Sequence, residues 1–326
     1  MPDCNVHLII IGAGPAGLVA AQYGARANLK VLVIEQMTAG GQVLQIDTLE
    51  NYPGNVDLLD ANGKIICAQR SGYELSMDFY RQAESFGAAF LTDTVTSIKK
   101  ENDFFTVNLQ NGEPQKAAAV IFAAGCKPRL LNIPGEAEFT GRGVSYCATC
   151  DGNFFKRKKI LVVGGGDAAC DEARYLSRLT DKITIIHRRD SFRAQKSIAE
   201  RTLKNPNIKV RFNTIIKEIK GEKKVTSAIL ADAITGEEYE EETDAVFVFV
   251  GTVPQTALVS GSDLKAALDE GGYIITDQTM ATNIPGLFAA GDVRAGAFRQ
   301  IITAAADGAM AAKNASEYID EIRTKN

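Results

Sequence analysis

A glycine-rich turn placed directly after a short apolar run constrains this chain most, and it occurs twice. The first turn, Gly12-Ala13-Gly14-Pro15-Ala16-Gly17, lies between the apolar runs 6–11 and 31–34, and Glu35 follows the second run. In such a G-x-G-x-x-G pattern the first glycine permits a tight turn and the second lets a pyrophosphate approach the backbone. The third lets the helix pack on the strand, and the acidic residue accepts hydrogen bonds from a ribose. The pattern therefore predicts a strand–helix–strand unit that binds a dinucleotide.

The second turn also lies between a predicted strand and a predicted helix, but basic residues replace the acidic residue that follows the second strand. Gly164-Gly165-Gly166-Asp167-Ala168-Ala169 follows the apolar run 160–163 and precedes a predicted helix over 167–179 and a predicted strand over 183–186. Where an acidic residue would stand, the chain has His187-Arg188-Arg189, with Arg193 shortly after. Guanidinium groups bind a ribose 2′-phosphate that a carboxylate would repel, so this site is expected to prefer NADPH to NADH. A solvated basic loop is the alternative interpretation, and His187 is interpreted as a structural residue at a strand end.

Continuous apolar strands of this kind are typical of parallel sheets covered on both faces. We therefore expect an α/β fold made of two Rossmann-like three-layer dinucleotide-binding domains, and 326 residues suffice for two such cores. Two further strand-then-glycine segments, 120–125 and 246–251, indicate where the chain passes between them. The expected first domain comprises residues 1–126 and 252–326, and the second domain, residues 127–251, is inserted into it.

Charge and hydropathy exclude some function classes. With 36 Lys and Arg against 40 Asp and Glu, the formal charge of −4 offers no basic surface for nucleic acid. The apolar stretch 6–25 is interrupted by glycines and lacks a cationic start, which argues against a signal peptide or membrane helix. A cytoplasmic protein is expected. The acidic run 236–244 is interpreted as a solvated hairpin of the second domain.

The C-terminal region carries another buried-strand pattern, Leu287–Gly291, followed by Asp292. Arg299, Gln300 and an alanine-rich helix to about Ile322 come next. An aspartate in such a place can bond the ribityl chain of a flavin, and a helix N-terminus stabilises negative charge on the flavin pyrimidine. The two nucleotide sites are therefore interpreted as one for FAD, in the first domain, and one for NADPH, in the second.

Cys147-Ala148-Thr149-Cys150 is the one close pair among six cysteines, which stand at positions 4, 67, 126, 147, 150 and 170. No metal site is expected, because the other cysteines are isolated and the histidines are only His7 and His187. Beside flavin and nicotinamide sites, a C-x-x-C pair is better interpreted as a redox disulfide. Asp151 could serve as its proton donor or acceptor, or could simply cap a helix.

These motifs, taken together and in this order, closely resemble those of low-molecular-weight, bacterial-type thioredoxin reductases. The matching segments are GAGPAG at 12–17, GGQ at 40–42, ENYPG at 50–54, GRGVSYCATCDG at 141–152, GGGDAA at 164–169, HRRDSFRA at 187–194, AAGDV at 289–293 and RQIITAAADG at 299–308. The resemblance implies a homodimer whose FAD and NADPH domains rotate relative to each other, with thioredoxin as partner. It also implies that Cys147 and Cys150 carry the electrons onward. Around FAD it places Gly41, Gln42, Asn51, Val95, Asp292, Arg299, Gln300 and Ile301.

One segment departs from the family pattern. Residues 55–72, which include Cys67, form a longer stretch than the family has there and are expected to be a surface insertion. Two other functions stay open at this point. One is an NADPH-dependent flavoprotein that reduces a ferredoxin or a small acceptor, and the other is a flavin-bound redox sensor with little turnover.

Overall fold

The computed structural model describes residues 5–46, 49, 51–60, 62, 65–67, 69–261 and 264–325, except for the side chains at 45, 58, 59, 66, 67, 149, 150 and 325. Cys4 and the side chains of Cys67 and Cys150 therefore lie outside the described residues. The chain divides into two compact units, Met1–Lys127 with Val253–Asn326, and Pro128–Thr252.

The helices and strands fall into three stretches of chain, separated by the two passages between the units. Before the first passage they are β1 (Leu8–Ile11), α1 (Pro15–Arg26), β2 (Val31–Glu35), β3 (Leu58–Leu59), β4 (Ile65–Cys67), α2 (Gly72–Ser85), β5 (Ala89–Thr92), β6 (Val95–Glu101), β7 (Phe104–Leu109), β8 (Gln115–Ala117), β9 (Ala119–Phe122) and β10 (Cys126–Pro128). Up to the second passage they are α3 (Glu136–Phe139), β11 (Val144–Ser145), α4 (Ala148–Asp151), β12 (Ile160–Gly164), α5 (Asp167–Leu176), β13 (Ile183–Ile186), α6 (Lys196–Leu203), β14 (Ile208–Arg211), β15 (Thr214–Gly221), β16 (Val225–Asp232), β17 (Glu238–Glu242) and β18 (Ala245–Phe249). After it come β19 (Thr252–Pro254), α7 (Ala257–Ser260), β20 (Leu287–Ala289) and α8 (Ile301–Lys325).

The first unit is built on a five-stranded parallel sheet in the order β20-β9-β1-β2-β5. Side chains of β1 alternate between its faces, as the pleat of a strand requires. Leu8 and Ile10 pack in one core cluster with α1 and α8, whereas Ile9 and Ile11 pack in another with the antiparallel sheet β6-β7-β8. Because both faces are covered, all four residues of β1 are buried.

The second unit repeats this arrangement. Its parallel sheet has the order β11-β18-β12-β13-β14. Ile160 and Val162 face α5, whereas Leu161 and Val163 face the antiparallel sheet β15-β16-β17. The expected α/β fold with two three-layer dinucleotide-binding units is confirmed.

Two local elements show how far the sequence patterns hold in detail. The helix expected over 167–179 ends earlier, at Leu176, because the chain tightens there into a turn in which the Leu179 N–H donates to the Leu176 carbonyl at 2.8 Å. The acidic run 236–244 does form an exposed hairpin strand, β17, paired with β16. Four of the six carboxylates in the run are paired with basic side chains, such as Glu242 with Lys159 at 2.8 Å.

The segment 55–72 contains the short antiparallel pair β3–β4 and leads into α2. Ser71 and Glu74 form a reciprocal capping box at the start of α2, with the Glu74 N–H donating to the Ser71 hydroxyl at 3.2 Å and the Ser71 N–H donating to the Glu74 carboxylate at 2.8 Å. This cap fixes where the segment ends and the helix begins.

Candidate active site

The first glycine turn joins β1 to α1 with almost no room for side chains. Gly12 has φ +100°, and a Cβ on it would lie 2.5 Å from the Ala123 carbonyl oxygen. A Cβ on Gly17 would lie 1.9 Å from the Gly12 carbonyl oxygen, so helix and turn touch through backbone. A Cβ on Gly14 would meet nothing within 4 Å. The turn is therefore closed toward the fold and open at Gly14, where α1 begins.

The open end of this turn suits an anionic ligand. Gly14 precedes the first helical residue, Pro15, which Ala16 follows. Among the residues that the structure describes, no side chain caps the first-turn N–H groups of α1. Free N–H groups and the positive end of the helix dipole attract a pyrophosphate. The residues present thus fit the diphosphate of FAD.

Glu35 lies at the end of β2, next to this turn. Its carboxylate accepts the Ala13 N–H at 2.8 Å and the Met37 N–H at 3.1 Å, so it is oriented by the backbone on both sides. A carboxylate has about four acceptor positions, which leaves capacity for ribose hydroxyls. Gly41 also belongs to this end of the site, since a Cβ on it would lie 3.2 Å from the Gly14 Cα.

Residues far apart in sequence meet at the other end of the first unit's site. The Asn51 side-chain amide donates to Gln300 Oε1 at 2.9 Å, and the Gln42 side-chain amide donates to the Cys126 carbonyl at 3.3 Å. Ile301 is the first residue of α8. Val95 differs from the other expected FAD residues, because its side chain is buried in the core cluster beneath the sheet.

Asp292 follows β20 in a short 3₁₀ turn. Burial raises the pKa of its carboxyl group, the nearby Arg299 guanidinium opposes that shift, and Asp307 adds to it. Arg299 itself has φ +59°, and its guanidinium carbon lies 4.4 Å from the centre of the Tyr273 ring. Sequence reasoning missed Asp307, a residue of α8. Its carboxylate accepts a hydrogen bond from the Gly291 N–H at 3.1 Å.

The second glycine turn is built like the first. Gly164 has φ +152°, and a Cβ on it would lie 2.3 Å from the Phe249 carbonyl oxygen, whereas a Cβ on Gly166 would meet nothing within 4 Å. Gly166 precedes α5, whose first residues are Asp167 and the exposed Ala168. The Asp167 carboxylate accepts the Gln195 backbone N–H at 2.7 Å and its side-chain amide at 2.8 Å. Asp167 thus ties the start of α5 to the loop that carries the arginines.

That loop presents a cluster of positive charge. Arg188, Arg189 and Arg193 are exposed, and none of the described residues forms an ion pair with them. Burial lowers the pKa of His187, and the positive charges of these three guanidinium groups lower it further. The Arg193 N–H donates to the Gly165 carbonyl at 2.7 Å, so the cluster is fixed to the glycine turn. His187 packs against Gly165, as expected of a structural residue.

The C-x-x-C segment belongs to the second unit. Cys147 is disulfide-bonded, and the segment from Ala148 to Asp151 forms the short helix α4. The Ser145 hydroxyl accepts the Cys147 N–H at 3.1 Å and donates to the Cys147 carbonyl at 3.1 Å. Asp151 is half-buried and makes no side-chain cap to the 3₁₀ turn that follows it. Among the residues that the structure describes, no group of three or more His, Cys, Asp or Glu could hold a metal ion.

Two further carboxylates hold this segment, and sequence reasoning identified neither. Tyr146 donates its hydroxyl hydrogen to buried Glu136 at 2.8 Å, and Glu136 also accepts the N–H groups of Leu131 and Asn132 at 2.8 and 2.6 Å. Burial and Glu136 raise the pKa of Tyr146 to about 12. The second carboxylate is Glu172 on α5, which accepts the Ala148 N–H.

Comparison with known proteins agrees with this geometry. Residues 6–308 match the family model described as pyridine nucleotide-disulphide oxidoreductase. A thioredoxin reductase of Treponema pallidum is 52% identical over 321 residues, which cover 98% of this chain and 99% of that protein. A thioredoxin reductase of Bacillus subtilis is 42% identical, covering 97% of this chain and 95% of its own.

Solved structures give the same result. The crystal structure of Lactococcus lactis thioredoxin reductase is similar with a TM-score of 0.89 and 41% identity, covering 97% of this chain and 100% of that chain. That of T. acidophilum thioredoxin reductase has a TM-score of 0.86 and 36% identity, covering 97% and 99%. The chain therefore belongs to the pyridine nucleotide-disulphide oxidoreductase family and, within it, to the thioredoxin reductases.

Proposed function

We propose that this protein passes electrons from NADPH through FAD to a Cys147–Cys150 disulfide, and from the resulting dithiol to the disulfide of thioredoxin. The observation that carries the proposal is that Cys147 is disulfide-bonded in a C-x-x-C motif, in the same unit as a glycine turn with a cluster of arginines. Membership of the thioredoxin reductases supports the cofactors FAD and NADPH.

The first unit, with expected bounds 1–126 and 252–326, is proposed to hold FAD. The N–H groups beyond Gly14 would bind the diphosphate, Glu35 the ribose, and Asp292 the ribityl chain. Bound FAD would supply two-electron transfer between NADPH and the disulfide. Asn51, Gln300 and Gln42 would fix the other end of the cofactor.

The second unit, with expected bounds 127–251, is proposed to hold NADPH. Gly164 and Gly166 would admit the pyrophosphate to the start of α5. Arg188, Arg189 and Arg193 would bind the 2′-phosphate through charge-assisted hydrogen bonds. Because one flavin must meet both nicotinamide and disulfide, and the dithiol must later reach a protein, we propose that the two units reorient during turnover.

The outgoing step is thiol–disulfide exchange. One thiolate of the reduced pair attacks a sulfur of the thioredoxin disulfide and forms a mixed disulfide. The second thiolate then attacks its partner cysteine, which restores the Cys147–Cys150 disulfide and releases thioredoxin as a dithiol. Asp151 is proposed to supply the proton that the departing thiolate takes up.

Assembly and location are also proposals. We expect a homodimer in the cytoplasm, with no nucleic-acid partner. In the part of the chain that the structure describes, no helix has the length and apolar character needed to cross a membrane.

One assay tests the proposed function against its rivals. The purified protein should show a flavin absorption spectrum and should oxidise NADPH continuously when thioredoxin is supplied. Turnover with ferredoxin or a small acceptor alone would favour that kind of reductase. A flavoprotein that is reduced once and then turns over little would favour a redox sensor.

A further inference from the structure

Glu172 connects the nucleotide-binding helix to the redox motif within the second unit. It lies on α5, about one and a half turns after the first helical residue, Asp167. Its carboxylate accepts a hydrogen bond from the N–H of Ala148, the residue directly after Cys147. A single rigid helix therefore begins at the second glycine turn and holds the peptide next to the redox cysteine.

The environment of this carboxyl group is unusual. Oε2 of Glu172 is fully buried and has no hydrogen-bond partner among the described residues. Burial is the largest cause that raises the pKa of Glu172 to about 7; neighbouring Asp171 adds to it, and the Ala148 N–H opposes it. A buried carboxyl group with one partnered oxygen costs free energy, and packing alone would be served better by an apolar side chain.

Two other polar contacts hold the chain just before Ala148. Ser145 bonds both backbone groups of Cys147, and Tyr146 is tied to Glu136. Glu172 reaches the Cys147–Ala148 peptide from α5. Cys147 is disulfide-bonded while this contact is made, so the contact is present in the oxidised form of the motif.

We infer that Glu172 is a positioning residue that stabilises the disulfide form of the Cys147 motif and so makes the reduced pair a stronger reductant. Two effects act in the same direction. The bond to Ala148 favours the turn in its disulfide-bonded form, and negative charge on Glu172 disfavours the thiolates that form when two electrons break the S–S bond. A lower reduction potential means a greater tendency to pass those electrons to a disulfide substrate.

This inference rests on the proposed function, and three variants of the full-length, FAD-loaded protein test it. Glu172→Leu keeps the approximate size and removes the acceptor. Glu172→Gln keeps an acceptor oxygen and removes the charge. Glu200→Leu, at an exposed glutamate of α6, is the matched control. Each protein is equilibrated in glutathione or dithiothreitol redox buffers, and the dithiol fraction of the Cys147 motif is measured by thiol labelling and mass spectrometry.

We expect Glu172→Leu to shift the equilibrium about tenfold toward the dithiol, about 30 mV for a two-electron couple. Glu172→Gln should shift it about threefold in the same direction, and Glu200→Leu should not shift it. In steady-state turnover with thioredoxin, kcat should fall about tenfold for Leu and recover to within threefold of wild type for Gln. The Kd for NADPH should stay within twofold in all three, because the glycine turn and the arginines are unchanged.

An equilibrium for Glu172→Leu within twofold of wild type would overturn the inference. If Glu172→Leu does not fold, the test rests on Glu172→Gln alone. A dithiol–disulfide equilibrium in Glu172→Gln equal to that of wild type would then overturn the inference. The proposed function fails separately, when the wild-type protein oxidises NADPH without reducing thioredoxin.

Discussion

Asp307 and Arg294 form a two-point ion pair, with Nε to Oδ2 at 2.6 Å and Nη2 to Oδ1 at 2.9 Å. The same Oδ2 accepts the N–H of Gly291 at 3.1 Å. Only 9% of the Asp307 side chain is exposed, so the pair is well shielded from water. A carboxylate on α8 thus fixes the strand end that carries Asp292 in the proposed FAD site.

Replacing Asp307 should therefore harm both stability and flavin retention. Asp307→Ala leaves the Arg294 guanidinium partly buried without its partner, a loss on the order of 3–5 kcal/mol. The apparent Tm and the FAD retained after gel filtration measure the two effects. Asp320→Asn, which removes an exposed carboxylate paired with Arg323, is the control and should leave both unchanged. An Asp307→Ala protein with the wild-type Tm would show that the pair is not a stabilising contact.

Asp292→Ala should weaken FAD binding without comparable loss of the protein's stability. The substitution removes a buried acceptor proposed for the ribityl chain, at a cost on the order of 1–3 kcal/mol in binding. Equilibrium dialysis of the apoprotein with FAD gives the affinity directly. Unchanged affinity would remove Asp292 from the site.

The arginine cluster should decide which nicotinamide cofactor is used. Arg188→Ala combined with Arg189→Ala should cost about 2–3 kcal/mol, roughly 30- to 150-fold, in NADPH affinity, because charge-assisted bonds to the 2′-phosphate are lost. NADH affinity should change little. Titration with both nucleotides tests this, with exposed Arg178→Ala as the control. Equal losses for the two nucleotides would contradict a phosphate-binding role.

Glu172 should make stability depend on pH in a defined window. Its pKa in the folded protein, about 7, lies above the ordinary value of 4.5, because the folded state favours the protonated carboxyl group. Its contribution to the free energy of unfolding is therefore greatest below pH 4.5 and is lost as pH rises toward and through 7. The difference corresponds to about 3 kcal/mol. Glu172→Gln should therefore gain stability relative to wild type as pH increases from 5 to 8, which apparent Tm values at each pH would measure. A constant difference between the two proteins across that range would contradict the raised pKa.

Local patterns predicted most of the fold and the backbone geometry of both glycine turns. The turn at Gly12, Gly14 and Gly17 is dictated by residues within one strand and one helix, and the same holds for Gly164 and Gly166. The end of α5 was less predictable, because the last three residues expected in the helix instead form a tight turn. Where a helix ends depends on small free-energy differences between another helical turn and a tighter one.

The carboxylates that support the sites could not be predicted in this way. Asp307 lies in an alanine-rich helix, and nothing local reveals that its partner is Arg294. Glu136 bonds Tyr146, next to the C-x-x-C motif, and Glu172 contacts Ala148 within the motif. The two carboxylates come from separate elements, so their roles depend on tertiary packing. The family resemblance predicts that Val95 contacts FAD. Its side chain is buried in the core, so only its backbone is left for a contact with the cofactor.

In the proposed function, electrons enter at the flavin and leave through the Cys147–Cys150 pair. Cys147→Ser and Cys150→Ser should each abolish thioredoxin reduction, because a serine hydroxyl cannot form the disulfide. Both variants should still bind FAD, and NADPH should still bleach the flavin. Two buried cysteines outside the motif provide matched controls, and Cys126→Ala and Cys170→Ala should keep near-normal turnover. The same is expected at Cys4 and Cys67.

The most direct measurement places flavin bleaching by NADPH in stopped flow beside steady-state thioredoxin reduction for wild type, Cys147→Ser and Cys150→Ser. We expect rapid bleaching in all three proteins and thioredoxin turnover in the wild type alone. If either serine variant reduced thioredoxin at the wild-type rate, the proposed electron route would be contradicted, and the pair would not be the redox centre.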